Sequence, residues 1–85
     1  MFKVSIKNYS IKVQAYDSVL EIVDNGQLRD DVCYVTILNF LQLHNVVLAN
    51  VICEELNNRI KHKVNYKKYK VIYNNDNVKV SLKMN

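Results

Sequence analysis

The chain has 85 residues, 49% of them apolar and 24% charged, with 12 basic against 8 acidic side chains and a net charge of +4. That length suits one domain over residues 1–85, and the balance is globular, which excludes a disordered tail. No apolar run approaches the ~18 residues of a membrane-spanning helix, and the first seven residues lack the apolar segment of a secretory leader, so an intracellular, cytoplasmic protein is expected.

Phe2, Val4 and Ile6 alternate with Lys3, Ser5 and Lys7. After a polar joint at Asn8-Tyr9-Ser10, Ile11, Val13 and Ala15 alternate with Lys12, Gln14 and Tyr16. Two period-two runs about a short joint predict a β-hairpin. Residues 17–28 read two ways. Ser18-x-x-Glu21 is a capping-box pattern and Asn25-Gly26 a helix stop, which favours a short helix. The same stretch fits strand, turn, strand around Asp24-Asn25-Gly26.

Residues 32–43 are apolar nearly all round. Asp30 or Asp31 would cap a helix here and suit its dipole. A strand 32–35 leading into a helix 36–43 is the alternative. A helix with so little polar surface is buried or faces a partner chain, which makes 32–43 the expected interface of a homodimer. Leu48, Ile52, Leu56 and Ile60 recur at four-residue spacing beside Val47 and Val51, predicting an amphipathic helix over 46–61. Glu55 and Arg59 stand in the favourable i, i+4 order on it. Tyr69, Val71 and Tyr73 lead through Asn74-Asn75-Asp76-Asn77 to Val78, Val80, Leu82 and Met84, a second hairpin. The expected fold class is α+β in the order β-β-α-α-β-β, with the two terminal hairpins in one antiparallel sheet packed on central helices.

Little in this sequence suggests chemistry. Cys33, His44, Cys53 and His62 are 11, 9 and 9 residues apart, without the close pairs that a structural zinc site needs. The two cysteines form no disulfide framework and read as buried thiols. Asp24, Asp30 and Asp31 read as solvated or capping acids, and Gly26, the sole glycine, makes no phosphate loop. No enzyme, cofactor or metal is expected.

The charge is more informative. Residues 1–16, 17–31, 32–58 and 59–85 carry +3, −4, −2 and +7 in turn. With the apolar strand residues turned to the helices, period two sends Lys3, Lys7, Lys12, Lys79 and Lys83 to the other face. If Tyr69, Val71 and Tyr73 also point inward, Lys68 and Lys70 join them. Tyr16 would stand there as a stacking ring, with no acid on the face. A second basic stretch over 59–70 interleaves Arg59, Lys61, Lys63, Lys67, Lys68 and Lys70 with Tyr66 and Tyr69. Closely spaced cations with few counter-charges suit a phosphate backbone. The same lysines also serve as a solvated face that guards sheet edges. Nucleic-acid binding is therefore the first expectation. The second is a protein-binding regulator or inhibitor acting by occlusion, with the acidic 17–31 stretch as a surface for a basic partner. Abundant Asn, Lys, Ile and Tyr point to AT-rich codons, as in a virus, phage or low-GC bacterium. A viral origin would place the protein in the host cell.

Overall fold

The computed structural model of the protein describes residues 8–84. Its elements run β1 (Tyr9–Ala15), β2 (Ser18–Asp24), α1 (Asp30–Leu43), α2 (Ala49–Lys61), β3 (Lys70–Asn74) and β4 (Val78–Met84). The fold is α+β in the expected order. All four strands form one antiparallel sheet, ordered β2-β1-β4-β3, so the two hairpins meet along β1 and β4. Tyr9, Ile11, Val13 and Ala15 of β1 and Val78, Val80, Leu82 and Met84 of β4 are buried on one face. Both helices cover that face, α1 over β2 and α2 over β3, and they pack against each other. Ile37, Leu41, Ile52 and Leu56 complete the core.

The first hairpin is displaced from its expected position. The run 2–6, with Lys3 and Lys7, lies outside the described residues. Tyr9 and Ser10, expected in the turn, are already in β1. The turn is the two-residue link Tyr16-Asp17, because Ala15 pairs with Ser18. Tyr16 holds φ 56° there, a conformation that usually selects Gly or Asn.

The helix preferred over 17–28 is strand β2 instead. Val19, Ile22 and Val23 are β-branched and suit a pleated surface. Leu20, Ile22 and Asp24 turn toward the core while Val19, Glu21 and Val23 face out. Pairing with β1 supplies hydrogen bonds along the whole segment, which a two-turn helix held by one capping box cannot match. The strand-turn-strand alternative is correct in its first strand and its turn, but no second strand follows before α1. After Asp24 the chain bends: the buried Asp24 carboxylate accepts from the Gly26 N–H (2.7 Å) and the Leu28 N–H (3.2 Å). Gly26 stands at φ +86° in that bend.

Residues 32–43 are helical throughout, without the alternative strand at 32–35. Arg29 is the N-cap residue, and no side chain caps the helix. Asp31 instead accepts from the Val32 N–H (3.0 Å) and pairs with Arg29 at 2.9 Å. At the other end Asn45, at φ 57°, donates its N–H to Gln42 and Val46 donates to Leu41 (3.0 and 2.9 Å), the paired bonds of a Schellman stop. That stop delays the second helix. It begins at Ala49 rather than 46, and Ala49, Ile52, Cys53 and Leu56 form its buried stripe. Leu48 and Val51, expected inward or beside the stripe, are exposed.

Candidate nucleic-acid interface

Strand pairing fixes what the outer sheet face carries. Ser10, Lys12 and Gln14 of β1 stand opposite Val23, Glu21 and Val19 of β2, and opposite Lys83, Ser81 and Lys79 of β4. Lys12, Lys79 and Lys83 therefore share the face as expected. The face is not free of acids: exposed Glu21 is the direct partner of Lys12. Exposed Val19, Val23 and Val71 make it more apolar than a purely charged surface.

β3 changes the pattern again. Val71 pairs with Ser81 and Tyr73 with Val80, so one extra residue lies between them. This bulge reverses the alternation. Tyr73 faces the helices, as expected, but Val71 and Tyr69 do not. The Tyr69 ring lies on the outer face, 5.9 Å from the Lys12 ammonium. Lys70, expected outside, occupies the position opposite core residue Leu82, with its ammonium 5.3 Å from the Tyr66 ring. Lys67 and Lys68 are exposed in the segment before β3.

Tyr69 thus joins the two basic regions. Its ring, Lys12, Gln14, Lys79 and Ser81 line a hollow of about 280 Å³ in the middle of the face. These residues share the hollow because β1 and β4 are central neighbours and β3 lies beside β4. Gln14 and Ser81 are not among the candidate binding residues of the sequence, and Tyr69 enters there only as a ring of the 59–70 stretch. The only signal for Tyr69 was its place beside Lys68 and Lys70, and strict alternation assigned it to the wrong face.

Other candidates disperse. Tyr16 is exposed at the β1–β2 tip, where its N–H donates to the Asn77 carbonyl (2.7 Å). Lys61 ends α2, and Lys63, at φ 49°, follows its C-cap His62. Arg59 is engaged by Glu55 at 2.8 Å, and hydrogen bonds to Glu55 and then to Tyr66 hold its guanidinium above its ordinary pKa. Of the acidic stretch, Asp24 is buried in its bend, Asp31 is paired with Arg29, and Asp17 and Glu21 are exposed.

Cys33 and Cys53 line a shared notch between the helices and carry thiols rather than a disulfide. Burial, and then the nearby Cys33, push the Cys53 thiol up from 9.0 to about 11. Such a thiol is a poor nucleophile at neutral pH. Among the described residues no three His, Cys, Asp or Glu side chains gather as a metal site, and no helix is long and apolar enough to cross a membrane.

Comparison with protein-family models, curated proteins and solved structures finds no match to this chain.

Proposed function

We propose that this is a non-enzymatic nucleic-acid-binding protein whose footprint is the outer sheet face together with the 59–70 stretch. The observation that carries the reading is the Tyr69–Lys12 contact, which brings a ring of that stretch onto the outer sheet face beside Lys79. Its affinity comes from releasing counterions held by phosphates. With about four or five lysines engaged, log K against log salt falls with a slope near −3 to −4. Glu21 opposes part of this attraction.

The test is retention on heparin and binding to mixed oligonucleotides at rising salt. Replacing Lys12, Lys79 and Lys83 by Ser flattens the slope and leaves the fold intact. Replacing Lys61, Lys63 and Lys67 gives the share of the helix-end stretch. Absence of binding at about 50 mM salt, or an unchanged slope in both variants, refutes the proposal.

One observation favours the second reading, a protein-binding regulator or inhibitor that acts by occlusion as a homodimer. Cys33, Ile37 and Leu41 of the apolar 32–43 run are buried within the chain, but Leu43 and Val47 at the helix turn are 77% and 96% exposed. Leu48 and Val51, close by in sequence, are exposed as well.

A further inference from the structure

Charge alone attracts any polyanion, but the hollow on the outer face has a more selective lining. Lys12, Lys79, Tyr69, Gln14 and Ser81 line it, with the Lys12 ammonium 5.9 Å from the Tyr69 ring. At about 280 Å³ it falls just below the roughly 300–1,000 Å³ of pockets for drug-sized ligands, so it suits one flat group. The Tyr69 ring remains 41% exposed while its contact with Lys12 holds it on the sheet.

The shape of the face argues against a duplex. Four strands at about 4.8 Å spacing measure about 14 Å between the outer two, wider than the roughly 12 Å major groove. The helices, which could enter a groove, lie on the opposite face. A ring can meet the face of a base only if that base is unpaired, and single strands present such faces without the cost of opening a duplex.

We infer that the hollow takes one unpaired base against Tyr69, with Lys12 and Lys79 on the flanking phosphates, and that the protein therefore selects single-stranded over double-stranded nucleic acid. This rests on the nucleic-acid reading above. Gln14 and Ser81 offer hydrogen-bonding groups to the edge of the base.

The experiment uses the full chain and an end-labelled oligothymidine of about 12 nucleotides, within the range covered by small single-strand-binding folds. A duplex of that oligothymidine with its oligoadenine complement is the comparison, read by fluorescence anisotropy at several salt concentrations. The single strand is expected to bind at least about tenfold tighter than the duplex. Tyr69→Leu is expected to weaken single-strand binding by about 5- to 150-fold, the range of one lost stacking contact, without changing the salt slope. Tyr69→Phe keeps the ring and the binding, and this conservative variant decides the matter if Tyr69→Leu fails to fold. Lys12→Gln lowers the slope by about 0.7 for the single strand. Equal affinity for both forms, an unaffected Tyr69→Leu, or a Tyr69→Phe as weak as a lost ring would overturn the inference while leaving salt-dependent binding in place. Binding to neither form, at any salt, removes the nucleic-acid reading and this inference with it.

Discussion

Asp24 shows how much one side chain determines locally. It ends β2, lies buried, and its carboxylate accepts the Gly26 and Leu28 N–H groups, so it sets the bend that delivers the chain to α1. Asp24→Ala leaves those donors without this partner and is expected to cost about 1–3 kcal/mol in urea unfolding. Asp24→Asn keeps an acceptor oxygen and is expected to lose clearly less. Equal losses would show that the carboxylate's charge, not its geometry, matters. Cys53 makes a different prediction. Its thiol is raised from 9.0 to about 11 in the folded protein, so the folded state favours the protonated form. As pH rises past 9 the unfolded chain gives up this proton first. The group's contribution to stability is therefore whole below pH 9 and drains away toward pH 11. Melting temperature should fall over that window, and Cys53→Val, which retains the other titrating groups, should fall less. A variant that tracks the parent across the window would show that Cys53 is not responsible.

At the scale of elements, both helices stop on residues in the left-handed region, Asn45 after α1 and Lys63 after α2. Asn adopts that conformation at little cost and Lys at more. Lys63→Gly is expected to stabilise by about 0.5–1 kcal/mol, raising the melting temperature by a few degrees, with circular dichroism unchanged. A drop would mean that the Lys63 side chain contributes more than its strained backbone costs. The alternation of β1 and β4 and the four-residue spacing of Ile52 and Leu56 are local patterns, and they predicted their elements well. Ser18–Asp24 carried a helix cap and strand-forming residues together, and only pairing with β1 decided between them. The Asn45 stop rests on one residue without a glycine, so periodicity alone starts α2 three residues early. The site was less legible than the fold. Lys12, Lys79 and Lys83 follow from period two, but one extra residue in β3 exchanged the places of Tyr69 and Lys70. Glu21 reaches the face because Ser18–Asp24 is a strand and not the helix its capping-box pattern favours.

For the whole molecule, the two proposed surfaces lie apart and can be separated. If the exposed apolar residues at the helix turn join two copies, the protein sediments as a dimer at tens of micromolar, and Val47→Glu returns it to monomer without lowering its stability by more than about 0.5 kcal/mol, since this side chain is already exposed. A monomer at that concentration removes the homodimer from the second reading and leaves the oligonucleotide experiments untouched. The sheet's strand order has a further consequence in the cell. β1 is bonded on one side to β2, its immediate successor, and on the other to β4, which the ribosome adds last among these elements. At roughly 5–20 residues per second, the interval between Ala15 and Val78 is about 3–12 s. Throughout it, one edge of what will be a central strand carries Ile11 and Val13 without its neighbour. An open apolar edge recruits other chains. For those seconds β1 is open on that side to pairing with another chain, and the opening closes only when β4 docks.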